Sequence, residues 1–155
     1  MSDYSQNFPA VTCRWFKKMN NTDAQQPRSK TEKITHNLRL NQAGFKIDQK
    51  RWFRDVLFGE LNWQTKNIPK PIESTYPVFN VWIDKERFGK QELRVSYKLS
   101  RIANQNNIST VLHWGPLTHT LKSRDFVGYY VTIERLANNE FNLIISPEST
   151  GEFLG

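Results

Sequence analysis

Apolar and polar residues alternate with a period of two through much of the second half of this chain. In QELRVSYKL, Leu93, Val95 and Tyr97 fall on one side and Arg94, Ser96 and Lys98 on the other, which predicts a half-buried strand over 91–99. YPVFNVWID predicts a strand over 76–84 with apolar residues on both faces, followed by a turn in KERFGK at Gly89. STVLHW predicts another strand, closed by Gly115-Pro116. Residues 128–136 and 140–146 predict a hairpin around Asn138-Asn139. LKSRDF predicts one helical turn.

The first half is less regular. KTEKITHNLRL alternates through Ile34, His36 and Leu38 and predicts a strand starting at Lys30. NQAGFKIDQ reads as a turn with Gly44. Asp48 stands where it would cap a short helix over QKRWFRDVLF, with Trp52 and Val56 at helical spacing; a strand from Trp52 to Phe58 is the alternative. Pro69 and Pro71 mark residues 62–75 as a loop, and SRIANQNNIS is a second, polar one. Residues 1–28 are expected to be flexible or loosely docked, although VTCRWFKK within them is β-prone. The domain expected at 29–155 is mainly β, with many short strands, one or two short helices and regular turns, the mark of a barrel or sandwich.

Composition supports a packed fold: 37% of the 155 residues are hydrophobic and 13% aromatic. Phe79, Trp82, Phe126 and Phe141 sit at alternating apolar positions and are expected in the core. A single cysteine, Cys13, rules out an internal disulfide and a four-cysteine zinc site. No apolar stretch reaches the length of a membrane span, and MSDYSQNFPA lacks the apolar segment of a signal peptide, so a cytoplasmic address without membrane partners is expected.

Charge changes the picture. The chain carries 22 Lys and Arg against 15 Asp and Glu, for a net +7. The excess is concentrated in residues 29–70, and no acidic residue stands between Glu92 and Asp125. A basic chain with its charge in blocks points to a polyanion. Two clusters mix cations with amides. Arg39, Gln42, Lys46, Gln49, Lys50 and Arg51 form the first; Arg94, Lys98, Arg101, Asn104, Gln105 and Asn107 form the second. Lys and Arg neutralise phosphates, Arg reads guanine edges, and Asn and Gln read adenine edges in the major groove. Asn also favours turns, so a plain polar loop remains open for the second cluster.

Catalytic motifs are sparse. His113 and His119 stand six apart, unlike helical metal ligands, and neither a nucleophile elbow nor a glycine-rich phosphate loop is present. No cofactor is expected. The rival reading is a small metal-dependent nuclease using Asp84 and Glu92 around a strand turn. Other rivals are a single-strand nucleic-acid binder with exposed aromatic platforms, and a protein-interaction domain whose basic charge is incidental.

The order of pieces also resembles a known family. LKSRDFVGYYVTIERLANNEFNLIIS resembles the end of the B-three DNA-binding domain of plant transcription factors. FNVWIDKERFGKQELRVSYKL is similar to that family's strand–turn–strand unit, and LRLNQAGFKIDQKRWF lies where its first strand and N-terminal arm fall. The similarity spans about residues 30–147. The N-Q-N-N run before L-H-W-G is closer to the bacterial branch, the recognition domains of restriction endonucleases. The resemblance implies a seven-stranded open pseudobarrel that grips double-stranded DNA with two arms in the major groove, at about 39–51 and 94–107. Those restriction domains are fused to a nuclease, which this chain does not display. The resemblance therefore implies either a nuclease on a separate chain or a regulatory role.

Overall fold

The computed structural model describes residues 9–67, 70–98 and 109–155. It is mainly β. Ten strands form among the described residues: β1 (Val11–Lys18), β2 (Asn37–Arg39), β3 (Gln64–Lys66), β4 (Ile72–Thr75), β5 (Val78–Ile83), β6 (Glu86–Glu92), β7 (Val95–Lys98), β8 (Thr110–His113), β9 (Tyr130–Leu136) and β10 (Phe141–Ser146). They make two five-stranded sheets, neither closed into a barrel. The first has the order β1-β9-β10-β5-β6 and the second β2-β8-β7-β4-β3. All pairings are antiparallel except β10 with β5. One helix, α1 (Leu117–Ser123), and one π-helical turn, Phe53–Leu57, complete the regular elements described.

The core is a single aromatic-rich cluster. Trp15 of β1, Phe79 of β5, Phe141 of β10, Leu112 of β8 and Val95 of β7 are all buried in it, joined by Phe53 and Phe58 of the π-turn region. Alternation does the sorting. Cys13, Trp15 and Lys17 point inward from β1, and Phe141, Leu143 and Ile145 point inward from β10.

Several expectations shift. Residues 11–28, expected to be loosely docked, supply an edge strand and the buried Trp15, Met19 and Ala24. The strand expected from Lys30 shrinks to Asn37–Arg39, because His36 takes a left-handed conformation (φ 63°). Gln25 holds it there: its Oε1 accepts from His36 N at 2.6 Å. The loop expected over 62–75 instead holds β3 and β4, with Pro71 in the hairpin connection, and β3 is an exposed edge strand. The turn expected at Gly89 lies earlier. Asp84 and Lys85 both have positive φ (49° and 75°), the geometry of a two-residue hairpin loop, while Gly89 (φ 82°) sits beside the strand irregularity at Val81/Trp82. Trp82, expected in the core, faces outward and is 38% exposed. The hairpin at Asn138-Asn139 is present, with Asn139 left-handed (φ 65°), and α1 contains the predicted helical turn in part.

Candidate nucleic-acid interface

The second sheet has one apolar and one polar face. Leu38, Leu112, Val95 and Thr75 are paired across four strands and turn to the core. The neighbouring row, Arg39, Val111, Ser96, Ser74 and Gln64, runs across all five strands on the outer face. Flanking rows place Arg94 beside His113, and Lys98 beside Ile72 and Lys66, on the same face. Arg39, Arg94, Lys98 and Lys66 therefore share one surface. The carboxylate within these five strands is Glu73. It lies on the other face, where Arg54 grips it through two 3.1 Å hydrogen bonds and itself stacks on Trp63 at 4.4 Å. The outer face is thus cationic, with its own sheet's acid turned inward and neutralised.

Side chains on this face are tied locally. Arg94 Nε donates to Ser74 Oγ at 3.0 Å. Ser96 Oγ and His113 Nε2 are 2.8 Å apart. Burial, then the charges of Arg94 and Lys98, pull the His113 pKa down to about 4, so the ring is neutral at pH 7. A groove of about 510 Å³ opens beside Arg94, lined by Gln64, Lys66, Lys70, Ile72, Ser74 and Tyr76 among others.

Two connections leave from the same end of this sheet. Arg39 ends β2 and Lys98 ends β7, on either side of the start of β8; Leu40 N donates to Thr110 O at 3.2 Å and Lys98 N to Ser109 O at 3.0 Å. The connection after β2 carries Gln42, Lys46, Gln49, Lys50 and Arg51. Its odd positions, Ala43, Phe45 and Ile47, pack on the core, while Gln42, Lys46 and Asp48 are exposed. Left-handed Ala43 and Gly44 (φ 51° and 86°) turn it back on itself. Gln49 Oε1 accepts from Gln42 N at 3.1 Å, and Lys50 N donates to Asp48 Oδ1 at 3.0 Å. Among the described residues Arg51 makes an exposed pair with Asp55 at 3.9 Å, and its side chain is more than half exposed.

No protein-family model matches this chain, and no curated protein is significantly similar to it.

Of the twelve residues singled out by chemistry, Arg39, Arg94 and Lys98 share the sheet face, and Gln42, Lys46, Gln49, Lys50 and Arg51 lie on the loop that leaves it. Arg101, Asn104, Gln105 and Asn107 lie outside the described residues. Lys66, Lys70, Tyr76 and His113 were missed as neighbours. The two prolines hid the β3–β4 hairpin, whose β3 carries Lys66 onto the face and whose connection carries Lys70 to the groove; the block of positive charge over 29–70 was the available signal. The rival nuclease pair does not assemble. Asp84 lies in the turn of the β5–β6 hairpin and Glu92 pairs with Val78 at its far end, roughly 20 Å along the strand. Among the described residues no group of three potential metal ligands forms.

Proposed function

We propose that this chain binds double-stranded DNA sequence-specifically, as the target-recognition part of a bacterial restriction system whose nuclease is a separate chain. In this reading the two sheets act as an open pseudobarrel of the B-three-like kind. The outer face of the second sheet meets the phosphates through Arg39, Lys98, Lys66 and Lys70. The connection after β2 and the one after β7 enter the major groove as two arms. Gln42, Lys46, Gln49, Lys50 and Arg51 read from the first, and Arg94, Arg101, Asn104, Gln105 and Asn107 from the second. The observation that carries the reading is a cationic sheet face with no carboxylate among the described residues that its five strands turn outward, at whose one end β2 and β7 both finish. Such a face supplies affinity and register, and the amides and arginines supply discrimination. The chain itself performs no chemistry in this reading, and it works in the cytoplasm.

Selection from a randomised duplex pool tests it. One short enriched motif is expected, and Arg94→Ala should weaken binding to it about tenfold or more while relaxing the preference at one position. Equal binding to all duplexes would overturn the specificity, and a preference for single strands would overturn the duplex assignment.

A further inference from the structure

The last described residues, 151–155, fold back over the free edge of β1. Arg14 N donates to Leu154 O at 2.8 Å and Leu154 N returns a bond to Arg14 O at 3.0 Å. Arg14 Nη1 also donates to Glu152 O at 3.2 Å. Arg14 is itself fixed, since its Nε donates to Glu134 Oε2 at 2.7 Å and Asn142 Nδ2 holds the other carboxylate oxygen at 2.9 Å. The fit is close: a Cβ on Gly151 would stand 2.6 Å from the Arg14 guanidinium carbon. Two backbone bonds and an anchored arginine therefore give this segment a defined seat.

That seat delivers Phe153 to the arm after β2. Its ring stacks on Phe45 at 4.4 Å, with 21° between planes, and lies 5.6 Å from Trp52. Phe45 sits at the middle of the arm and Trp52 at its end. Phe45 also meets Phe16 of β1 edge-on at 5.1 Å, and Trp52 meets Phe53 at 5.0 Å. Phe153 is the ring common to both. Among the described residues the arm has no strand partner; Trp15 Nε1 holds its start by donating to Asn41 O at 3.0 Å, Ala43 and Ile47 pack on the core, and these rings hold its middle and end to the body.

We infer that residues 151–155 are a clasp, with Phe153 as a positioning residue that sets the geometry of the reading arm 41–52. The inference rests on the duplex-binding reading. An arm held in its bound shape loses less conformational entropy on binding, and side chains on it arrive at base edges in register. The clasp lies on the first sheet, away from the phosphate-facing surface. Its effect therefore falls on specific binding and spares the non-specific component.

The test uses Phe153→Ala, Leu154→Pro, which removes the N–H bonded to Arg14, and Phe153→Tyr as the conservative control. Hydrogen exchange over 41–52 is measured in the free proteins, and affinity is measured for a duplex selected by the wild type and for an unrelated duplex. Both disruptive variants should exchange faster in 41–52 and bind the selected duplex about tenfold more weakly. The unrelated duplex and the thermal midpoint should change little, and Phe153→Tyr should behave as wild type. Unchanged exchange in both disruptive variants would overturn the clasp. Faster exchange with unchanged specific affinity would overturn its role in recognition. If the wild type selects no duplex, the functional reading fails, while exchange still decides whether the clasp holds the arm.

Discussion

Lys17 and Asp23 meet at 3.0 Å in the seam between the two sheets, both almost fully buried. Lys17 Nζ also donates to Arg39 O at 3.1 Å, so a β1 side chain of the first sheet pins the end of β2 in the second. Asp23 O in turn accepts from Trp114 Nε1 at 3.0 Å. Asp23→Ala would strand a buried ammonium and should cost about 3 kcal/mol of stability, read as a lower urea midpoint. His113 gives a pH dependence. Its ordinary pKa of 6.5 falls to about 4 in the fold. Between those values the unfolded chain holds more protons than the folded one, so stability falls as pH drops through that window and levels below it. His113→Gln should flatten that part of a denaturation-against-pH curve.

At the scale of elements, the β3–β4 hairpin extends the cationic face by two strands. It brings Lys66 onto the row of Lys98 and Lys70 to the rim of the groove. If both lysines meet phosphates, the double substitution to alanine should lower the salt slope of duplex binding by about 2 without altering the selected motif. Lys90 serves as the control. It lies on β6 of the other sheet, paired with Glu140 at 3.3 Å, and its loss should leave the slope unchanged. The hairpin was not legible beforehand because proline signals breakage wherever it stands, and only the pairing of β3 with β4 shows that Pro71 falls in the connection between two strands. The hairpin at Asn138-Asn139 was legible, since it depends on local turn chemistry.

For the whole molecule, the width of the polar face sets the footprint. Five strands span roughly 20 Å at ordinary strand spacing, the length of about six base pairs. The information in selected sites should therefore be confined to about six contiguous base pairs for one chain. A motif twice as long, with two-fold symmetry, would instead require two copies on the DNA. The register of the sheets is what joins Arg39, Arg94 and Lys98. These residues are up to 59 positions apart in the chain, and no local pattern relates them.

Alternation, turn residues and the aromatic supply determined by themselves that the chain is mainly β and that Val95 and Tyr97 of β7 turn inward, because side-chain direction in a strand depends on parity. Charge and amide content alone marked the two clusters. Tertiary structure decided the rest. It drew residues 11–18 into the first sheet through Trp15 and Lys17, turned Trp82 outward, and set Asp84 and Glu92 at opposite ends of a hairpin. It also brought Phe153 against the arm at Phe45 and Trp52. Each of these depends on which strand lies beside which, and that choice minimises exposed apolar surface over the whole fold, where no local window registers it.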